Sequence, residues 1–163
     1  MRAFSLALLT LPFLAACATA PLSPDKAADF STNGFLDGNT FQVTAAAAPD
    51  ASAKGLVAQR ESAAVKARGG LQDAAVKALV EYRLTRFTAE NKGKPDLTAL
   101  TAEARTLLTA EFGKYLSCGG IAEEYYEKDN SAAIVYRIVK SGLRAEIEGF
   151  TITFKEKKPE EKK

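Results

Sequence analysis

The chain has 163 residues, 47% of them hydrophobic, and its 22 basic and 20 acidic side chains leave a formal net charge of +2. This near balance, without a dense basic stripe, argues against nucleic acid as a partner. The absence of histidine excludes Ser-His and Cys-His nucleophiles and histidine-ligated metal sites.

An apolar run at the N-terminus ends in a cysteine. Arg2 precedes the run, and residues 3–14 are too few to cross a bilayer, which takes about 20 apolar residues. The run closes with Leu14, Ala15, Ala16 and Cys17. These four residues resemble the lipobox of bacterial lipoproteins. The resemblance implies that signal peptidase recognises the first three of them, removes residues 1–16 and leaves a lipidated Cys17.

The resemblance also implies a location. Acyl chains such as palmitate anchor a protein stably when two or more are attached, whereas a single chain binds reversibly. Ala18 follows the cysteine as in lipoproteins of the bacterial outer membrane, so we expect a lipid-anchored protein that faces the periplasm. The alternative is an ordinary secretory signal, cut at Ala18-Thr19-Ala20, which would leave a soluble periplasmic protein.

The rest of the chain has the size of one domain. Prolines and short polar side chains predict a mobile tether over residues 17–35. Residues 36–154 carry the apolar periodicity of a single folded domain. The lysine and glutamate run over residues 155–163 has the composition of a disordered, solvated tail.

A strand and a long helix open the predicted domain. Asp37-Gly38-Asn39 is a turn signal, and apolar and polar residues alternate over residues 40–47, which predicts a strand. Apolar residues then recur at helical spacing over residues 53–91. Gly69-Gly70 interrupts this helix at a cost of about 2 kcal/mol relative to alanine. Either the helix breaks there or another element packs closely against its backbone.

A second helix is predicted over residues 97–116. Residues 92–95 end the first helix with glycine and proline, and Asp96 stands where its carboxylate can accept hydrogen bonds from the free amides of the second. Gly119-Gly120 is expected to stop that helix.

The next segment predicts a hairpin. Strands over residues 121–128 and 131–140 meet at a two-residue Asp129-Asn130 turn. This register pairs Tyr125 with Ile134 and places Glu124 and Arg137 on the opposite side of the sheet. The buried face then consists of Ile121, Tyr125, Ile134 and Ile138.

A helical turn over residues 143–148 and a short strand over residues 150–154 complete the pattern. A strand, two helices and two or three further antiparallel strands predict a small α+β domain. We expect a small antiparallel sheet with two amphipathic helices packed on one face.

Candidates for chemistry are few. The densest acidic cluster consists of Glu123, Glu124, Glu127 and Asp129. Neighbouring strand residues point to opposite faces, and no calcium-loop motif accompanies the cluster, so we interpret it as a solvated strand. If Cys17 carries lipid, Cys118 has no partner within the chain, and we expect a small buried residue there, with an intermolecular disulfide as the alternative. We predict no catalytic residue, no metal and no cofactor.

The strand, the alanine-rich helix and the tyrosine-rich hairpin, which ends in a basic turn over residues 140–144, together resemble small flagellum-associated outer-membrane lipoproteins. The resemblance covers residues 40–148. It implies a structural or assembly protein without cofactors, of a kind that in some cases forms rings or discs under the outer membrane.

We therefore predict a noncatalytic, membrane-anchored assembly component that works through contacts with envelope proteins, including copies of itself. The leading surface is the hairpin edge, because unpaired amide and carbonyl groups can add a strand from a neighbour. Its candidate residues are Tyr126, Val135 and Arg137. The alternative is a lipoprotein that binds a small ligand or an envelope polymer in a groove between helices and sheet.

Overall fold

The computed structural model describes residue 30, residues 32–94 and residues 96–154. The predicted signal peptide, most of the predicted tether and the charged tail lie outside the described residues. The elements in chain order are β1 (Gly34–Phe35), β2 (Thr40–Ala47), α1 (Leu56–Gly69), α2 (Leu71–Glu90), α3 (Leu97–Phe112), a 3₁₀ helix (Gly113–Cys118), β3 (Gly119–Tyr126), β4 (Ala132–Val139) and α4 (Leu143–Gly149).

The strands form one antiparallel sheet in the order β1-β2-β4-β3. β4 lies between β2 and β3, and its side chains are buried along nearly its whole length. All four α-helices contribute to one apolar core on a single face of the sheet. The sheet side of that core consists mainly of Phe41, Val43, Ile134, Tyr136 and Ile138. The predicted α+β class, with helices packed on one face, is confirmed.

The first predicted strand and the interruption of the long helix are both confirmed. β2 spans the predicted residues, and α1 ends at Gly69, with Gly70 lying between it and α2. No described atom lies within 4 Å of a Cβ placed on either glycine. The glycines therefore break the helix, and the alternative of close packing on the helix backbone is wrong.

The second predicted helix divides into α3 and the 3₁₀ helix. Asp96 precedes α3, but its side chain makes no capping hydrogen bond, so the predicted cap is wrong. Gly119 and Gly120 begin β3 instead of serving only as a stop. A Cβ on Gly119 would lie 2.1 Å from the hydroxyl oxygen of Tyr136. Glycine at this position gives the buried ring of Tyr136 its space.

The hairpin closes with three loop residues instead of two. The Glu127 amide donates to the Ser131 carbonyl oxygen at 2.9 Å, and the Asn130 amide donates to the Glu127 carbonyl oxygen at 3.0 Å. Asn130 has φ +64°, the left-handed conformation that asparagine tolerates better than most residues. A turn followed by a left-handed residue is a common three-residue hairpin loop.

The longer loop shifts the strand register. Tyr125 pairs with Ala133 and Glu124 pairs with Ile134, whereas the sequence predicted Tyr125 opposite Ile134. A shift of one residue moves every side chain of a strand to the other face. A further register shift lies between Ile121 and Glu123. Because of it, Ile121 lies on the helix side of the sheet, as the sequence predicted.

The predicted buried face of the hairpin is therefore correct only in part. Ile134 and Ile138 are fully buried in the core, as predicted. Tyr125 lies on the face opposite the helices because of its register. Ile121 is 50% exposed, since β3 lies at an edge of the sheet.

Residues 150–154 do not form the predicted strand. Arg83 of α2 donates to the Phe150 carbonyl oxygen at 3.1 Å. The Phe150 ring packs on Phe112 of α3, and the Phe154 ring packs on Phe87 of α2. The Arg83 side chain and the surfaces of α2 and α3 thus make the contacts that a neighbouring strand would make with a strand at this position. α4, by contrast, agrees with the predicted helical turn.

The folded domain starts earlier than residue 36. β1 pairs with β2 through Gly34 and Phe35, and the Thr44 hydroxyl donates to the Phe30 carbonyl oxygen at 2.6 Å. The predicted turn follows β1, where the Asp37 carboxylate accepts from the amides of Asn39 and Thr40 at 2.7 and 2.8 Å. Five described residues at the end of the predicted tether region therefore contact or belong to the sheet: residue 30 and residues 32–35.

Candidate functional site

Leu14, Ala15, Ala16 and Cys17, the predicted lipobox, lie outside the described residues. Within the part of the chain that the structure describes, no helix has the length and apolar character needed to cross a membrane.

Cys118 ends the 3₁₀ helix, is partly buried and packs against the apolar core. It is disulfide-bonded. The expectation that Cys118 has no partner within the chain applies to a lipidated Cys17, and Cys17 lies outside the described residues, so that expectation stays a prediction.

The structure does not bring the three predicted contact residues together. Val135 and Arg137 lie in the central strand β4, with 0% and 9% of their surface exposed. Both belong to the face opposite the helices, because they alternate with the core residues of β4. Tyr126 lies at the end of the edge strand β3, half-buried, on the helix side. Only Tyr126 is placed at an accessible margin of the domain.

Tyr126 belongs to a small surface between β3 and α1, which we call the hairpin patch. It consists of Val57, Arg60, Arg68, Glu124 and Tyr126. The guanidinium of Arg60 stacks 5.2 Å from the centre of the Tyr126 ring. Glu124 accepts from the Tyr126 hydroxyl and from Arg68. Val57, Arg60, Arg68 and Tyr126 border a shallow cleft of about 310 Å³.

The hairpin loop fixes one end of this patch. Arg60 Nε donates to Asn130 Oδ1 at 3.4 Å, and Asn130 Nδ2 donates to Gln59 Oε1 at 2.9 Å. The left-handed loop residue therefore does two things: it closes the hairpin and it holds α1 against it. Sequence reasoning identified Asn130 as a turn residue, but nothing in the sequence indicated its contacts with α1, 70 residues away.

Charge within the hairpin patch is locally balanced. The hydrogen bond from the Tyr126 hydroxyl, followed by that from Arg68, lowers the pKa of Glu124 below its usual range. The same bond raises the pKa of Tyr126. The Arg68 side chain is about half exposed, and exposed ion pairs contribute at most about 1 kcal/mol. The contacts orient the side chains more than they stabilise the fold.

Exposed apolar side chains lie on the two elements that form the hairpin patch. Val57, within the patch, is 78% exposed, and Leu56 and Val65 on α1 are more than half exposed. Ile121 on β3 is 50% exposed. Scattered exposed apolar residues are normal, but Ile121 lies on an edge strand, where amide and carbonyl groups are available for pairing. This combination suits a protein contact.

A larger cleft of about 540 Å³ lies between α2 and the β1–β2 edge of the sheet. Its apolar wall includes Phe41, Val43, Ala74, Ala78 and Tyr82. Lys77 and Glu81 lie at its rim, and Glu81 is paired with Arg105 of α3. This cleft corresponds to the groove between helices and sheet that the alternative prediction requires.

Three of the four acidic residues of the hairpin have separate surroundings. Glu124 faces α1, Glu123 lies on the other face, and Asp129 accepts from the Ser131 hydroxyl at 2.6 Å. Among the described residues there is no group of three or more His, Cys, Asp or Glu side chains that could hold a metal ion.

Among the described carboxylates, Glu148, which lies outside the hairpin, has the pKa that is lowered furthest. Glu148 of α4 accepts from the Tyr82 hydroxyl at 2.5 Å and from Arg144 Nε at 2.9 Å, and it also pairs with Arg86. These contacts, with the Tyr82 hydrogen bond foremost, lower the pKa of Glu148 to about 2. The cluster joins α4 to α2. Its charges satisfy one another, so we assign it a structural role.

Comparison with known proteins gives no family for this chain. No protein-family model, no curated protein and no solved structure matches it.

Proposed function

We propose that this protein is a noncatalytic envelope lipoprotein, anchored to the periplasmic side of the bacterial outer membrane through Cys17, that acts as a structural or assembly component. The observation that carries the proposal is the sequence Leu14-Ala15-Ala16-Cys17 at the end of a short apolar run. Flagellum-associated lipoproteins remain the proposed type on the basis of the sequence resemblance alone.

The contact surface that we assign to this function is the hairpin patch together with the β3 edge. It combines an edge strand, the exposed Ile121 and an oriented set of charged and aromatic side chains. Arg and Tyr are enriched among the residues that dominate binding energies. Confinement to a membrane raises the effective concentration of neighbouring copies, so weak contacts at this edge become useful.

The anchor is tested by replacing its sulfur. A Cys17→Ala variant should be uncleaved or soluble, whereas the wild-type protein should stay in the membrane after a high-salt wash. Mass spectrometry of the wild-type N-terminus should find residue 17 carrying the diacylglyceryl group. A processed Cys17→Ala protein that stays in washed membranes would contradict the proposal.

Cys118 provides an independent readout of the same question. A sulfur that is bonded to lipid through a thioether cannot also form a disulfide. In lipidated molecules, Cys118 should therefore react with maleimide once the protein is denatured. Where Cys118 forms an intermolecular disulfide, mild reduction should be needed first. Membrane-bound molecules in which Cys118 is joined to Cys17 would instead exclude sulfur lipidation.

The contact surface is tested with a matched pair of exposed apolar residues. Ile121→Glu on the β3 edge should reduce crosslinking between neighbouring proteins in membranes by about tenfold, since a charge on an edge strand opposes pairing. Leu107→Glu on α3, also exposed, should leave crosslinking unchanged. If both folded variants crosslink like the wild type, the β3 edge is not the contact surface.

The second candidate function is ligand binding in the 540 Å³ cleft. Its volume lies in the range of small-molecule sites, about 300–1,000 Å³, and Lys77 would favour an anionic, largely apolar ligand. Titration with the apolar anion anilinonaphthalene sulfonate tests this function. Lys77→Glu should weaken binding at least about tenfold and Lys92→Glu should not. Equal binding by both variants would remove the cleft as a site.

A further inference from the structure

One edge of β2 is open beyond the short strand β1. Among the described residues, β1 pairs with β2 through Gly34 and Phe35 alone, and no strand continues it alongside the second half of β2. Asn33 leaves the ladder, and its side-chain oxygen Oδ1 accepts from the Thr44 amide at 2.7 Å. A side-chain amide thus takes the place that the carbonyl oxygen of a neighbouring strand would take.

The bond to Asn33 shows which backbone groups of β2 face this edge. Successive residues of a strand direct their amide and carbonyl groups to alternate edges. The Thr44 amide faces the open edge, so the Thr44 carbonyl oxygen and both backbone groups of Ala46 face it as well. Ala46 is also exposed. Edge groups of this kind can pair with the backbone of another chain.

The 540 Å³ cleft adjoins this edge. Thr44 borders the cleft although it pairs with Val135, on the face opposite the helices. The cleft therefore reaches the backbone edge of the strand. Its wall on α2 runs from Ala74 to Thr85, about 16 Å of helix. An extended strand spans that length with about five residues.

We propose that this cleft binds an extended, acidic peptide segment of a partner protein, which pairs with the open edge of β2 and lies between β2 and α2. Backbone pairing at a sheet edge, with alternate side chains entering pockets beside it, is a recurring mode of peptide recognition. Val43 and Ala78 line the cleft, so apolar side chains suit the positions of the segment that face them. The inference rests on the second candidate function, in which the cleft binds a ligand, and it names that ligand.

The charges at the cleft favour acidic residues in the segment. Lys77 and Glu81 are the charged residues that border it. Glu81 is paired with Arg105 of α3, whose hydrogen bond is the main cause of the lowered pKa of Glu81. Lys77 is exposed and makes no ion pair with a described residue. Two cations therefore stand against one carboxylate at this rim, and a carboxylate of the peptide would complement the second cation.

Synthetic peptides test the strand pairing without changing the protein. The probe is the labelled peptide Glu-Val-Glu-Val-Glu-Val-Glu with blocked ends, and fluorescence anisotropy measures its binding to the purified full-length protein. Two further peptides carry N-methyl groups, one on its valine amides and the other on its glutamate amides, so each lacks the donors of one strand edge. One of the two should bind at least about tenfold more weakly than the unmodified peptide, and the other should bind like it.

Three outcomes of this experiment would overturn the proposal. The unmodified peptide could fail to bind, which would exclude an acidic strand as the occupant. All three peptides could bind equally, which would exclude backbone pairing. Both N-methylated peptides could lose binding, which would exclude pairing through a single edge.

Protein variants place the peptide on the β2 edge. Ala46→Pro removes an amide that faces outward, away from β4, and should weaken binding of the unmodified peptide at least about tenfold. Ala122→Pro is the matched control, because Ala122 is exposed on the opposite edge strand β3 and is skipped in the pairing with β4. It should leave binding unchanged. Equal binding by folded Ala46→Pro and the wild type would overturn the proposal; if Ala46→Pro does not fold, the N-methylated peptides decide.

Anilinonaphthalene sulfonate separates this inference from the function on which it rests. The dye needs the cleft but no strand edge, so Ala46→Pro should bind it like the wild type, whereas Lys77→Glu should bind both dye and peptide at least about tenfold more weakly. Dye binding that depends on Lys77, together with failure of the peptide tests, would overturn the strand pairing and retain the cleft as a ligand site. Dye binding that is indifferent to Lys77, without peptide binding, would overturn both.

Discussion

The two faces of β4 contrast in chemistry although both are buried. Toward the helices the strand presents Ile134, Tyr136 and Ile138, and toward the other side it presents Ala133, Val135 and Arg137. The first set is large and packs against four helices. The second set is smaller and includes a charge that is hydrogen-bonded to Gln42. The helix face therefore supplies most of the apolar stabilisation.

The largest effect that we expect comes from cutting a core side chain on the helix face. Ile138→Ala should lower the free energy of unfolding by about 2–5 kcal/mol, because Ile138 is fully buried. Val135→Ala on the second face removes two methyl groups and should cost about 1.5 kcal/mol. Denaturant unfolding of both variants measures the contrast between the faces. Equal losses would show that the helix face is not the dominant one.

A steric clash with the Tyr136 ring should cause the next largest loss in the free energy of unfolding. Gly119→Ala places a methyl group against the ring of Tyr136 and should cost about 1–3 kcal/mol, since this buried ring has little room to move. Gly120→Ala is the matched control, because no described atom lies within 4 Å of its Cβ position. If thermal unfolding does not separate the two variants, packing around Tyr136 is looser than described.

The Glu148 cluster should make the helix side sensitive to acid. The folded-state pKa of Glu148 is about 2, below the value of 4.5 for a free side chain. A lowered carboxylate pKa adds stability that is fully present above about pH 4.5 and is lost as the pH falls toward about 2. Glu148→Gln should flatten the pH dependence of unfolding in this window, and Glu103→Gln, an exposed change on α3, should preserve it. An unchanged slope in Glu148→Gln would contradict the assignment.

The smallest effect distinguishes two buried tyrosines of the core. Burial raises the pKa of Tyr115, the Glu146 carboxylate raises it further, and the hydroxyl makes no hydrogen bond of good geometry among the described residues. Tyr115→Phe should therefore leave stability unchanged or raise it by up to about 1 kcal/mol. Tyr136→Phe removes a bond to the Leu116 carbonyl oxygen and should cost about 0.5–1.5 kcal/mol. Comparable losses would show that Tyr115 has a partner after all.

Local chemistry made several elements predictable. Alternation placed β2 correctly, and helical spacing with a glycine pair placed α1, α2 and the break between them. The hairpin was recognised, but its register was not, because the loop uses three residues and Asn130 takes a left-handed conformation. One additional loop residue moved Glu124 and Tyr126 to the helix side. The composition of the hairpin patch follows directly from this shift.

The hairpin patch, too, was predicted from the sequence only in part. Tyr126 was identified from the sequence as a contact residue, whereas its neighbours Arg60 and Arg68 were not. Their role depends on how α1 packs against β3, which no local pattern encodes. Val135 and Arg137 were assigned to an edge because hairpin strands commonly lie at one. Pairing of β2 with β4 made their strand central.

The sequence by itself determined the α+β class and the position of most helices and strands, whereas the lipobox resemblance of Leu14-Ala15-Ala16-Cys17 stays a prediction. These features depend on near neighbours in the chain, through side-chain periodicity, turn residues and short motifs. Only the tertiary structure decided the strand order, the burial of both faces of β4, the hairpin patch and the state of Cys118. Each of these depends on contacts between residues far apart in sequence, and the free energy of such contacts is set by packing of the whole domain.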